Sequence, residues 1–311
     1  MTSHIIEVSN LTKSFDGLKA VDDLSFSVRS GEVYGFLGQN GAGKSTTIRM
    51  MLTLIKPSAG RIRIFGESLL TQRTSILKRV GAIIEKPDLY PYLTAMENIR
   101  LMAKLSGVRV SRDQLQAQLD TVGIGQRGES KVKTFSQGMK QRLGIACALI
   151  HNPDLIILDE PTNGLDPQGI ADVRNLILHL SRNQGKTILV SSHLLSEIEV
   201  LADSMLIIDK GRKVAEGKVK ELLHPGKTVV ELHTGNNEEA VRKLALSQWA
   251  KGLTYTNGAI VLSMDRNEIP ALTRELVGMN VDVLALHPRH ALEDFFLSLT
   301  TTNQHVATYP N

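Results

Sequence analysis

Residues 38 to 45 read Gly-Gln-Asn-Gly-Ala-Gly-Lys-Ser, and the apolar run Val33, Gly35, Phe36, Leu37 leads straight into them. A strand that feeds such a loop can wrap phosphates. The glycines of the stretch Gly38, Gln39, Asn40, Gly41, Ala42, Gly43 keep side chains out of the way, so that successive backbone N–H groups can turn inward on the α and β phosphates of a nucleotide. The helix opening at Lys44, with Thr46 in its first turn, adds its positive N-terminal end. Lys44 would reach the β and γ phosphates, and the Ser45 hydroxyl would hold Mg²⁺, a hard cation that takes oxygen ligands and usually keeps phosphates and waters in its shell.

Hydrolysis of ATP needs a further carboxylate on the metal side and a base for the attacking water. Leu155-Ile-Ile-Leu-Asp159-Glu160 supplies both at the end of an apolar run. Asp159 would reach the Mg²⁺ shell, and Glu160 would polarise the water that attacks the γ phosphate. A third stretch, Phe135-Ser136-Gln137-Gly138-Met139, places a small hydroxyl residue and a glycine where a helix begins, which is again a phosphate-accepting end.

These residues need a sheet to hold them. Leu155 to Leu158 and Thr187 to Val190 are apolar on both faces and are separated by the helical stretch Ile170 to Leu180, as a central parallel sheet demands. Met205 to Ile208 adds a strand with Asp209-Lys-Gly211 as its turn. Before the loop, Ile5 to Val8 and Lys19 to Val28 alternate apolar and polar residues around a Phe15-Asp16-Gly17 turn, as half-exposed antiparallel strands do. Gly60 to Phe65 and Val80 to Ile84 continue the strand signal, and Thr46 to Leu54 reads as helix. Thr94-Ala-Met-Glu97 is a capping box, and Asp113 to Val122 is a second helix, so about 94–150 reads as a helical insert.

Beyond Leu223 the pair Pro225-Gly226 marks a boundary, which predicts an N-terminal domain over 1–224 and an accessory α+β domain over 225–300. That second part reads as strand Lys227 to His233, helix Asn237 to Leu246, strand Leu253 to Thr256, turn Asn257-Gly258, strand Ala259 to Met264, helix Ile269 to Val277 and strand Val281 to Leu286. Asn-Gly between two strand runs is a strong hairpin signal, and the order β-α-β-β-α-β predicts a small split sandwich. A helix Leu292 to Leu299 and a mobile tail over 301–311 are expected to follow.

Composition closes off several function classes. The 311 residues are 42% hydrophobic and 22% charged, which argues against disorder. Net charge is only +4, and no basic cluster is interleaved with aromatics, so no nucleic-acid partner is expected. The basic excess sits in residues 1–225, with 29 basic against 23 acidic residues, while the remainder has 7 against 9. The single cysteine, Cys147, excludes a disulfide framework and reads as a small buried hydrophobe. The nine His lack metal-ligand spacing, and no window approaches about 18 consecutive apolar residues. Neither an exported chain nor a membrane-spanning one is expected.

With these motifs in order over roughly residues 4–225, the chain resembles the ATP-binding subunit of ABC transporters. That resemblance implies a P-loop NTPase fold of the α/β class, with an antiparallel β subdomain and a helical insert. It implies that Phe15, 29 residues before Lys44, stacks on adenine, and that Ser136, Gln137 and Gly138 form the signature loop reaching the ATP of an opposite protomer. The family's usual Leu-Ser-Gly-Gly-Gln stands here as Phe-Ser-Gln-Gly-Met, with Ser136 and Gly138 retained. It also implies that Asp166 lies in the loop crossing the dimer interface and that His193, in Ser191-Ser-His-Leu, contacts the γ phosphate. Glu85 stands where the family usually has Gln, in Ala82-Ile-Ile-Glu85-Lys-Pro-Asp-Leu-Tyr90, as in the subgroup of bacitracin and lantibiotic exporters. An ionised Glu accepts but does not donate, so it would place an extra negative charge beside Mg²⁺ and the attacking water.

The resemblance implies an ATPase working as a homodimer or a paired subunit, peripheral to the cytoplasmic face of the plasma membrane. A separate permease would be contacted by the helical insert and the Glu85 loop. Export of a drug, antibiotic peptide or similar amphipathic cargo is the expected task. The alternatives are an importer subunit, or a soluble relative acting on ribosomes or DNA. The tandem cassettes or long coiled coils of that last group do not appear: one phosphate loop and no sustained heptads are present.

Overall fold

The computed structural model describes residues 4–223, 228–256 and 258–290. The Pro225-Gly226 pair, Asn257 of the expected hairpin turn, the expected helix Leu292 to Leu299 and the tail 301–311 lie outside the described residues. In chain order, the elements are β1 (His4–Phe15), β2 (Leu18–Arg29), β3 (Val33–Gly38), α1 (Lys44–Met51), β4 (Ala59–Ile64), β5 (Glu67–Ser68), α2 (Arg73–Leu77) and β6 (Val80–Ile83). There follow α3 (Ala95–Leu105), α4 (Arg112–Thr121), α5 (Gln137–Leu149), β7 (Leu155–Leu158), α6 (Pro167–Arg182), β8 (Thr187–Ser192), α7 (Leu195–Leu201), β9 (Ser204–Asp209) and β10 (Arg212–Lys218). The last group is α8 (Val219–Leu222), β11 (Thr228–Thr234), α9 (Asn237–Ala245), β12 (Leu253–Thr256), β13 (Ala259–Met264), α10 (Ile269–Gly278) and β14 (Val283–His290). Two compact units part between Gly217 and Lys218.

The first unit is built on two sheets. One is antiparallel, in the order β2-β1-β4-β5, and its first hairpin turns at Asp16 and Gly17, both at positive φ. The other has the order β10-β9-β3-β8-β7-β6, in which β9, β3, β8, β7 and β6 run parallel. Every residue of β3, β7 and β8 is buried, so these runs are apolar on both faces because both faces are covered. Between the sheets, Ile6, Val8 and Leu24 share one core with Phe36, Ile157 and Leu189. The Phe26 ring lies 6.0 Å from Tyr34 and 5.7 Å from Phe36, and each such buried side chain contributes about 1.5–3 kcal/mol.

The strand signals at 60–65 and 80–84 part company here. β4 pairs with β1 in the antiparallel sheet, whereas β6 pairs with β7 at the edge of the parallel one. A four-residue apolar run fits either environment, and pairing decides. The helical insert comprises α3, α4 and α5, the first two opened by capping boxes at Thr94/Glu97 and Ser111/Gln114. Helix α1 stops at Met51, short of Leu54, and Thr53 takes a left-handed φ of 59°.

The second unit follows the expected β-α-β-β-α-β order. Its antiparallel sheet runs β12-β13-β11-β14, with Val230, Leu232, Ile260, Leu262, Leu272 and Leu276 at the centre of its core. The last strand begins two residues later than the expected Val281 and continues through Pro288 to His290. Proline lacks an N–H and is tolerated in a strand at a sheet edge, which is where β14 lies.

Backbone contact fixes β6 against α5. A Cβ on Gly81 would collide with the Ala148 carbonyl oxygen and stand 3.0 Å from Pro153 Cγ. Gly81→Ala is therefore expected to destabilise the chain by about 1–3 kcal/mol, read as a lowered midpoint of urea unfolding. An unchanged midpoint would mean that β6 and α5 separate freely.

Candidate active site

Parallel strands that end together gather their loops on one side of a sheet. Leu37 pairs with Ser192, Leu158 with Val190 and Ile83 with Leu158. The loop after β3, the acids after β7, His193 after β8 and Glu85 after β6 therefore issue from the same edge. A cavity of about 360 Å³ opens there, lined by Gln39, Asn40, Gly41, Gly43, Lys44, Ser45, Thr46, Glu85, Lys86, Glu160 and Asn163. A larger cavity of about 480 Å³ contains none of the site residues expected from sequence, and its Arg79 and Asp154 already pair with each other at 2.8 Å.

The loop's glycines are required by geometry. Gly43 has φ 105°, and a Cβ there would stand 2.6 Å from the Ala20 carbonyl oxygen, while Gly38 would meet the Ile208 oxygen at 2.7 Å. Lys44 is 5% exposed. Its Nζ donates to the carbonyl oxygens of Gly38 at 2.7 Å and Gln39 at 3.2 Å, and lies 3.0 Å from Glu160 Oε1. The other Glu160 oxygen meets His193 Nδ1 at 2.8 Å. One carboxylate thus joins two cationic or ionisable partners from different loops.

Glu160 itself sits at φ 49°, a backbone state costing a non-glycine residue about 1–3 kcal/mol. Ser191 helps to hold it. Glu160 N–H donates to Ser191 Oγ at 2.9 Å, and that hydroxyl donates to Asp159 Oδ1 at 2.6 Å. Asp159 is fully buried, and its Oδ2 has no hydrogen-bond partner among the described residues. No group of three or more His, Cys, Asp or Glu side chains among the described residues could hold a metal ion. A cation near Asp159 and Ser45 would draw its other ligands from phosphates and water.

Glu85 lines the same cavity, with its backbone at φ 60°. Its side chain is 63% exposed, and Oε1 lies 2.5 Å from Arg49 Nη2 on α1. An exposed pair of this kind adds little stability, yet it sets where the carboxylate stands. Phe15 is not among the residues lining the cavity. It ends β1, 45% exposed, with Lys13 Nζ 4.7 Å from its ring centroid. Nor do Ser136, Gln137, Gly138 and Asp166 line the cavity. Ser136 caps α5 by accepting from Met139 N–H at 3.2 Å, and Asp166 caps α6 by accepting from Gly169 N–H at 2.9 Å. The two caps are neighbours, because a Cβ on Gly138 would stand 3.6 Å from Gly169 Cα.

Sequence reasoning assigned no role to Ser191, Arg49, Thr162 or Glu197. Ser191 meets Glu160, Arg49 meets Glu85 and Thr162 meets Glu197 across 31 to 36 residues, beyond any local motif. Cys147 is partly buried, with burial pushing its thiol up to about 12, so it stays protonated and unreactive near neutrality.

Comparison with known proteins places these features in context. The sequence pattern of the family described as ABC transporter matches residues 21–163. The bacitracin transport ATP-binding protein BcrA of Bacillus licheniformis is 42% identical, over 96% of this chain and 97% of that protein. The Nod factor export ATP-binding protein I of Ralstonia nicotianae is 36% identical, over 95% of this chain and 94% of that one. Among solved structures, a dimeric ATP-binding cassette in a post-hydrolysis state, bound to ADP and Pi, superposes with a TM-score of 0.62. It is 25% identical, covering 69% of this chain and 98% of that one.

Lys44→Ala removes the one ammonium that meets both the loop carbonyls and Glu160. Nucleotide affinity, measured by equilibrium binding of ATP, is expected to fall by about tenfold to a hundredfold, the worth of a hydrogen bond to a charged group. Native affinity in that variant would exclude this cavity as the nucleotide site.

Proposed function

The chain belongs to the ABC transporter ATP-binding family, and from that membership we propose that it is the ATPase subunit of an exporter for an amphipathic drug or peptide antibiotic. The match to BcrA over nearly the full length of both proteins carries this reading. The Nod factor relative, which is named for export, supports the direction of transport.

In this reading the loop 38–46 binds the phosphates of ATP, and Phe15 stacks on its adenine. Asp159 and Ser45 fit Mg²⁺: one is a buried carboxylate with an unpartnered oxygen, the other a hydroxyl on the cavity wall. Bound Mg²⁺ would supply charge neutralisation on the phosphates. Glu160 accepts a proton from water as the water oxygen attacks the γ phosphorus, ADP leaves, and phosphate is the second product. His193, already in contact with Glu160, orients that carboxylate and faces the γ phosphate. Glu85, held by Arg49, contributes negative charge at the rim.

Ser136, Gln137 and Gly138, beside Asp166 and away from their own chain's cavity, would complete the ATP site of a second copy or a paired subunit. No helix among the described residues is long and apolar enough to cross a membrane, and the reading assigns the passage to a separate permease. The chain would work against that permease at the cytoplasmic face of the plasma membrane. A groove of about 350 Å³ offers the permease a seat between the 82–89 segment and helices α3 and α5, with Ile84, Pro87, Leu89 and Met102 in its wall.

Glu160→Gln keeps the shape and removes the base. Hydrolysis is expected to fall by about 10²–10⁴-fold while ATP still binds, and a dimer should accumulate on size-exclusion chromatography with ATP and Mg²⁺. A variant that hydrolyses at the native rate, or that stays monomeric, contradicts the assignment. Glu85→Gln is nearly isosteric and deletes one charge, so the Mg²⁺ concentration giving half-maximal ATPase activity is expected to rise. Coincident metal curves for the two proteins would mean that Glu85 does not act on the cation.

A further inference from the structure

We infer that Glu197 is a positioning residue for hydrolysis, because its carboxylate fastens the segment carrying Glu160 to the segment carrying His193. The inference rests on the reading that Glu160 and His193 act on ATP.

Glu197 belongs to the first turn of α7 and is only 8% exposed. Burial of a carboxylate is unfavourable unless hydrogen bonds compensate, and here two converge on one oxygen. Thr162 Oγ1 donates to Glu197 Oε2 at 2.7 Å, and Ser192 Oγ donates to the same atom at 2.8 Å. Ser192 Oγ also accepts from Leu194 N–H at 3.0 Å, which fixes the hydroxyl on both sides. A carboxylate on this helix can remain in water, as the exposed Glu199 does.

The positions of the two donors give the contact its meaning. Thr162 lies two residues after Glu160, and Ser192 lies one before His193. With the 2.8 Å contact between His193 and Glu160, a ring closes through Glu160, Pro161, Thr162, Glu197, Ser192 and His193. Every link in it is covalent or a hydrogen bond. The left-handed backbone at Glu160 survives only where surrounding contacts over-determine it. Ser191 holds the N–H side of that residue, and Glu197, through Thr162, holds the side that follows. Release of the clamp would let the Glu160 carboxylate move relative to His193 with no change in the loop that binds phosphate.

The test uses the full chain and steady-state ATPase kinetics. Thr162→Val removes the hydroxyl at nearly constant shape, whereas Thr162→Ser keeps it. The valine variant is expected to lose on the order of tenfold to a hundredfold in kcat, the effect of a small misplacement of reacting groups, with KM and ATP affinity within about twofold of native. The serine variant should regain most of the rate. Glu197→Ala should lower kcat similarly, and adding Thr162→Val to it should cost little more, because both remove the same link. If Glu197→Ala fails to fold, the threonine pair decides alone. Native kcat in Thr162→Val, a loss confined to KM, or a serine variant as slow as valine would overturn the inference. Glu160→Gln and His193→Ala in the same assay separate the two levels. If both are inactive while Thr162→Val is native, only the clamp fails; if both turn over at the native rate, the hydrolytic reading fails and the clamp with it.

Discussion

The Glu160 carboxylate, held at 3.0 Å by Lys44 and at 2.8 Å by His193, is the contact on which the rest of the site depends. Its three participants follow three different strands, and only a parallel arrangement delivers all of them to one edge. The order β3-β8-β7 places the three strand ends side by side, and burial of every residue in those strands leaves them no room to slip. A change of register by one residue in β7 would turn Asp159 and Glu160 to the opposite faces of the sheet. The hydrophobic core therefore acts on chemistry through register, and the antiparallel sheet helps by closing one face of the strands.

The site is assembled from short-range and long-range parts, and the two differ in how well they can be read from sequence. The conformation of the loop 38–45 was legible because its requirements are local: glycines where φ is positive or a Cβ would strike Ala20 or Ile208, and a lysine at the helix start. The acid pair was legible because a buried strand must end before two charges can begin. Ser191, Thr162 and Glu197 were not, since a hydroxyl meeting a carboxylate across more than thirty residues leaves no periodicity in the chain. The position of β6 was hidden for another reason: four apolar residues satisfy either sheet. The last strand runs past the expected Leu286 through Pro288, which an edge position accommodates.

The helical insert shows how a cap can do two things. Ser136 ties off the first turn of α5 through Met139 N–H, and the same short stretch sits beside the capped start of α6. Gly144, one helical stretch further along α5, is closed to any larger residue by Pro87 in the segment that follows β6. One helix is thereby packed against the Glu85 segment and also carries the serine and glycine proposed to meet a second nucleotide. On the far side of that segment, Glu85 pairs with Arg49 of α1.

The ion pair between Lys44 and Glu160 also sets a threshold for what the cavity will accept. An ammonium already satisfied by two carbonyl oxygens and a carboxylate gains little from a single weak anion, since the exchange trades one contact for another of similar strength. A ligand with several linked negative oxygens can take Lys44 and meet the loop's N–H groups in the same event. In the proposed reading the ion pair is an internal competitor that disfavours simple salts, so discrimination between a lone anion and a polyphosphate would begin before any group specific to adenine is engaged.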